Sequence, residues 1–206
     1  MPDAGHRRRP VCDGCRRPLA GCWCACVRHV ANRAPLLILQ DPGEAHQAKG
    51  TAQLLARCLA RAELRVGERF EPPAQLGSHV LLYPDTPGDA ALADPPPWPT
   101  AAPLAPPTLV VLDGTWRRSR RLLYLNPWLQ SLPRLALTTP APSRYVIRCA
   151  RGETQRSTLE ACAMALAQLD GDDLRYAPLW DAMDNFMALQ RRLADRRPTA
   201  GASPPR

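Results

Sequence analysis

The chain has 206 residues, room for one domain with a sizeable core plus a small appendage but too few for two large domains. Hydrophobic residues make up 45% and charged residues 22%, and no apolar stretch reaches the ~18–20 residues of a membrane helix, nor does one follow the basic start over 1–10. A membrane or secreted protein is therefore not expected and a cytoplasmic one is, while the formal charge of +8 favours a polyanionic partner whose phosphates shed counterions onto solvent when Lys or Arg meets them.

In chain order, the first feature is a cysteine cluster. Five of the eight cysteines fall between 12 and 26, and clustered cysteines without a secretion signal more often hold metal than bridge one another. Cys12, Cys15, Cys22 and Cys24 supply four thiolates within one short segment, enough for a closed tetrahedral structural Zn²⁺ site, with Gly14, Pro18 and Gly21 allowing tight turns. Cys26 could replace Cys24 as fourth ligand. With the arginines at 7–9, 16, 17 and 28, residues 1–30 read as a zinc-binding module with a basic arm.

A strand over 36–40 is followed by a Pro/Gly turn and a helix over 51–61 that places Leu54, Leu55, Cys58 and Leu59 on one face. A second strand over 80–83 runs into Pro84, and the proline-dense stretch over 85–107 reads as a long loop or insert. A third strand over 109–112 leads into Asp113, then a helix over 116–126 stops before Pro127. Weaker extended pieces lie over 135–137 and 145–148. Ser157-Thr158-Leu159-Glu160 has capping-box spacing ahead of a helix reaching 169, and a last amphipathic helix is expected from about 181, carrying Met183, Phe186, Met187 and Leu193. Residues 198–206 are expected to be disordered. Apolar strands alternating with helices predict a mostly parallel sheet covered on both faces, with ligands at the carboxyl ends of its strands.

Chemistry concentrates at one such end. The turn Asp113-Gly114-Thr115 is similar to the phosphatase turn Asp-x-Asp-Gly-Thr, but Val111 stands where that mechanism needs its nucleophile. Asp113 could otherwise cap the following helix. On that helix Arg117, Arg120 and Arg121 share a face at i, i+3 and i+4, suited to an RNA backbone, and Arg148 is a further candidate for phosphate.

The run Asp113-Gly114-Thr115-Trp116 through Leu123, then Asn126-Pro127-Trp128-Leu129, resembles the signature of the DTW-domain family. The resemblance extends in order through the cysteine spacing, Leu82-Tyr83-Pro84, Ser143-x-Tyr145-x-Ile147-Arg148 and Ser157-Thr158-Leu159-Glu160-Ala161, about residues 10 to 190. It implies an α/β, SPOUT-like, mostly parallel sheet with helices on both faces over 31–197, a fold that can carry a knot, beside the small four-cysteine zinc module. It also implies a tRNA-uridine aminocarboxypropyltransferase that moves the 3-amino-3-carboxypropyl group of S-adenosylmethionine to N3 of a uridine and releases 5′-methylthioadenosine. Under the resemblance Asp113, Thr115 and Trp116 lie at the centre of the site, and Tyr83, Pro84, Ser157, Thr158 and Glu160 wall the cofactor cleft. Asp113 would act as general base or would hold the donor by charge. The expected partner is tRNA, with no membrane and no obligate protein partner. Two other readings stay open: a non-catalytic zinc-containing RNA-binding module, and a methyltransferase, since SPOUT-like folds usually move methyl groups.

Overall fold

The computed structural model describes residues 10–84, 86, 92–98, 105–137 and 156–196. The expected strand over 145–148, with Ser143, Tyr145 and Arg148, lies outside them, as do most of the insert over 85–107, the arm before residue 10 and the tail over 198–206.

The elements are β1 (Leu36–Gln40), α1 (Pro42–Ala45), α2 (Ala52–Cys58), β2 (Ala62–Val66), β3 (His79–Leu82), β4 (Thr108–Asp113), α3 (Trp116–Leu125), β5 (Arg134–Leu135), α4 (Thr158–Asp170) and α5 (Asp173–Asp195). The five strands are all parallel, in the order β2-β1-β4-β3-β5. Of the three interior strands, β1 and β4 are the longest apolar runs, and all five residues of β1 are buried. Because successive side chains point to opposite faces, each strand feeds two cores. Leu36, Ile38, Leu109 and Val111 pack with Leu54, Leu55 and Cys58 of α2, and with residues of α4 and α5, on one face. Leu37, Leu39, Val110 and Leu112 pack with Leu122 and Leu123 of α3 on the other.

Strand β2 does not show in the sequence pattern because it is an edge strand with charges at Glu63 and Arg65, which pair with each other at 2.6 Å. Such charges deter pairing of the open edge with another chain. The last helix begins at Asp173, earlier than the sequence suggests. Asp172 caps it by accepting from the Arg175 N–H, and Pro178 removes one donor close to the start, opposite the carbonyl of Leu174, a residue 86% exposed. Gly171 adopts φ 63° at the end of α4, the left-handed conformation that lets α5 fold back against it. Phe186 of α5 is fully buried in the larger core. Phe186→Ala is expected to lower unfolding free energy by about 3–5 kcal/mol in urea titrations followed by circular dichroism.

The fold also sets where chemistry can sit. From the carboxyl end of β1 the chain leaves for α2 on one face, and from the carboxyl end of the adjacent β4 it leaves for α3 on the other. Between two such strands a crevice opens at the point where the winding reverses. The residues closing these strands, Gln40 and Asp113, are paired in register there.

Candidate active site

Asp113 is 8% exposed, and donors from two other elements hold both oxygens of its carboxylate. Gln40 Nε2 donates to Oδ2 at 2.6 Å from β1, and Thr158 Oγ1 donates to Oδ1 from the first turn of α4. Its backbone carbonyl accepts from the Asp41 N–H at 3.0 Å, which ties the chain leaving β1 to the end of β4. Asp113 does not cap α3. That role falls to Thr115, whose hydroxyl accepts from the Arg118 N–H, leaving the Asp113 carboxylate to side-chain partners. The Cys162 thiol of α4 is pushed up by complete burial and, secondarily, by the negative charge of Asp113.

A second acidic group borders the turn. Asp41 and Glu44 are buried, and Arg118 answers both, at 3.5 Å and 2.7 Å respectively. Arg118 lies so close over Gly43 that a Cβ there would stand 2.7 Å from its guanidinium, so a larger residue would push the guanidinium aside. Arg118 thus points to the acidic pair, away from the face shared by Arg117, Arg120 and Arg121.

Those three arginines line one cavity of about 490 Å³ together with Tyr83, Thr86, Trp116 and Tyr124. The Tyr83 and Trp116 rings meet edge to face with centroids 5.8 Å apart. Trp116 is 57% exposed, so it walls the cavity and does not anchor α3 in the core. Tyr83 is buried, with the Arg134 guanidinium 5.1 Å from its ring centre. Arg120 stacks on Tyr124 and donates to its hydroxyl at 2.9 Å, and Arg121 pairs with Glu68 at 2.9 Å. Arg121 is therefore partly neutralised, and Arg117 is the more available cation of the cavity wall. Pro84, next to Tyr83, is exposed and is not among the residues lining the cavity.

Ser157 and Glu160 form a full capping box: Glu160 Oε2 accepts from the Ser157 N–H, and the Ser157 hydroxyl accepts from the Glu160 N–H. The box fixes the first turn of α4, and with it Thr158, against Asp113. Thr51 braces the same turn by accepting from the Leu159 N–H at 3.2 Å. Of the residues singled out from sequence, Asp113 and Thr158 are in direct contact, Tyr83 and Trp116 touch, and Thr115, Ser157 and Glu160 shape the helix starts around them. Sequence reasoning does not single out Gln40 or Tyr124. The one available hint for Gln40 is a polar residue closing an otherwise apolar buried strand.

At the amino end, Cys12, Cys15, Cys22 and Cys24 bring their sulfurs within 4.8 Å of one another, with pairs at 3.4, 3.8 and 3.8 Å. A tetrahedral zinc ion with Zn–S bonds of ~2.3 Å sets its sulfurs about 3.8 Å apart, so the four fit such an ion. Cys26 stands outside the group and is buried in the core. The Cys12 thiol is held down to about 6, chiefly by the backbone N–H of Cys15 and then by the Cys22 side chain, whereas desolvation pushes Cys24 up to about 12. The cysteine turn is anchored to the rest of the chain: Trp23 is buried, and Arg57 of α2 lies over its ring and donates to the Gly14 carbonyl. Arg17 reaches the Gln47 and Ala48 carbonyls at 3.0 Å, clamping the connection from α1 to α2.

Among the described residues, no helix is long and apolar enough to cross a membrane. No solved structure matches the chain. The family model for the DTW domain matches residues 9–191. The chain is 31% identical over 184 residues to tRNA-uridine aminocarboxypropyltransferase 2 of Macaca fascicularis, covering 82% of this chain and 60% of the relative. The protein of that name from Mus musculus is 31% identical over 185 residues, with the same coverage, and the one from Drosophila melanogaster 32% over 174 residues, covering 79% of this chain and 68% of the relative. The chain thus spans about 60% of the length of the two mammalian relatives. A match over nearly the whole chain, which includes the Asp113 to Trp116 turn, places this protein in the DTW-domain family.

Proposed function

We propose that this protein transfers the 3-amino-3-carboxypropyl group of S-adenosylmethionine to N3 of a uridine in tRNA. The observation that carries the reading is the Asp113 carboxylate, fixed from β1 and α4 at the point where the sheet reverses its winding. The names of the relatives and the family match support it, and the basic, aromatic cavity, which Asp113 does not line, opens on the α3 side of the same turn.

S-adenosylmethionine supplies an electrophilic carbon bound to a sulfonium. Uracil N3 is a poor nucleophile while it carries its proton, and Asp113, already oriented by two donors, is the group to take that proton. As the N3–C bond forms, the C–S bond breaks and its electron pair remains on sulfur, leaving the neutral thioether 5′-methylthioadenosine. Thr158 and Gln40 keep the carboxylate in one orientation, so little reorganisation accompanies proton transfer. The Asp113 carboxylate suits the positive charges of the donor, while the exposed Trp116, met edge to face by Tyr83, offers flat apolar surface to a base. Tyr83, Pro84, Thr115, Ser157 and Glu160 shape the cleft, and Arg117, Arg120 and Arg121 face the RNA. The Cys12, Cys15, Cys22 and Cys24 group would hold a structural zinc ion in an amino-terminal module over 1–30, beside a catalytic domain over 31–197.

The nucleoside by-product tests the reaction type. Chromatography after incubation with tRNA should show 5′-methylthioadenosine accumulating in step with modified tRNA; S-adenosylhomocysteine in its place would mean methyl transfer. Arg117→Ala should weaken tRNA binding several-fold and reduce the slope of log affinity against log salt by about 0.7–0.9, with the KM for S-adenosylmethionine unchanged. Filter binding over a salt series measures both, and an unaltered slope would remove Arg117 from the RNA contact.

A further inference from the structure

The last residue of β1 is chemically out of place. Leu36, Leu37, Ile38 and Leu39 precede it, all buried and apolar, and Gln40 itself is 1% exposed. Its amide is only half used: Nε2 donates to Asp113, but Oε1 is buried with no hydrogen-bond partner. An orphaned buried acceptor destabilises a fold, and an apolar side chain of the same length would suit the position better. Local rules broken without a packing gain point to a site.

The geometry points to Gln40 as a positioning residue for the reaction, acting through Asp113, a role that rests on the reading of Asp113 as the reacting carboxylate. The register pairing of β1 and β4 brings the two residues opposite each other at the strand ends, and one rigid amide N–H fixes Oδ2 at 2.6 Å. Thr158 donates to Oδ1, so two separate elements, β1 and α4, set the carboxylate plane. The amide is oriented in turn: with Asp113 ionised only the NH₂ end can face it, which leaves Oε1 as the end without a partner. The backbone of Gln40 is equally held, its carbonyl accepting from the Gly67 N–H at 3.0 Å. The titratable and charged groups on the elements that meet at Asp113 include Asp41 and Glu44 after β1, Arg118 on α3, and Glu160 and Cys162 on α4. Gln40, like Thr158, is a neutral donor, able to hold the carboxylate without adding charge.

Two variants and four readouts decide the matter in the whole chain. Gln40→Met keeps length and removes both amide groups. It should lower kcat/KM for transfer by roughly 10–100-fold while leaving the melting temperature unchanged or higher. In ¹³C-carboxyl NMR titrations, with the signal assigned by Asp113→Asn, the Asp113 carboxyl should titrate at higher pH in Gln40→Met than in the unmodified protein, because a donor to its charged form is gone. Gln40→Glu puts a second carboxyl against Asp113, the two sharing a proton, so the acid limb of the pH–rate profile should move up by about one pH unit or more. A purely structural glutamine would lower activity and melting temperature together in Gln40→Met and leave the pH profile in place, and that result overturns the assignment. So does an Asp113 titration that Gln40→Met does not move, or full activity in both variants. Should the unmodified protein transfer nothing to tRNA, the reading of the function falls on its own, and the NMR titration still decides whether Gln40 holds Asp113.

Discussion

Asp113→Asn is expected to lower kcat/KM for aminocarboxypropyl transfer by about 10²–10⁴-fold, the usual worth of a positioned general base. The substitution keeps shape and removes only the capacity to accept a proton. The fold should tolerate it, because both partners can adapt: the Thr158 hydroxyl can rotate to accept, and the Gln40 amide can turn its unpartnered Oε1 towards an asparagine NH₂. The melting temperature should therefore stay within a few degrees of the parent. Steady-state kinetics with saturating S-adenosylmethionine and varied tRNA, beside circular-dichroism melts, give both quantities. An Asp113→Asn protein with parental kcat/KM would leave the cleft without its base, and a large fall in melting temperature would mean that Asp113 serves folding.

The second large effect is expected at the cysteine cluster. Cys12→Ser should abolish stoichiometric zinc and lower unfolding free energy by more than about 4 kcal/mol, since metal that binds only the folded chain adds its binding energy to stability. Consequences should reach beyond the turn itself. Trp23 is buried in the same core as α2 and α5, and Arg17 holds the connection that ends at Thr51, which braces α4 next to Thr158. Cys26→Ser is the control: its sulfur stands outside the group, so zinc content should stay at the parental level. Elemental analysis and denaturant titrations measure these outcomes. Unchanged metal and stability in Cys12→Ser would exclude that residue as a ligand.

Much of this architecture is legible in the chain because burial dictates residue type. The strands β1, β3 and β4 read as apolar runs since both of their faces are covered, and α3 and α4 carry their stops and caps in Pro127 and the Ser157–Glu160 pair. Strand β2 is invisible to the same reading because an edge strand carries Glu63 and Arg65 and so has neither an apolar run nor a clear alternation. The start of α5 is hidden for another reason: Asp170, Gly171, Asp172 and Pro178 all signal interruption, and only packing of Tyr176 and Leu179 into the core shows that the helix runs through.

At the site, helical spacing separates Arg118 from Arg117, Arg120 and Arg121, yet spacing cannot say that Arg118 turns to Asp41 and Glu44 or that Arg121 pairs with Glu68. Asp113 is prominent in sequence, but its partners lie 73 and 45 residues away, and no local pattern links them. Gln40 is the clearest case. At a strand end a glutamine reads as the point where burial stops, whereas register pairing in three dimensions puts it wholly inside, against a carboxylate. Cysteine spacing leaves Cys24 and Cys26 as alternatives for the fourth sulfur, and the tight turn brings Cys24 to the other three.

The most direct measurement is mass spectrometry of nucleosides from unmodified tRNA incubated with the purified protein and S-adenosylmethionine. The expected product is a uridine carrying an added 3-amino-3-carboxypropyl group at N3, absent when the Asp113→Asn protein is used. A methylated nucleoside, or tRNA returned unchanged by the parental protein, would contradict the account.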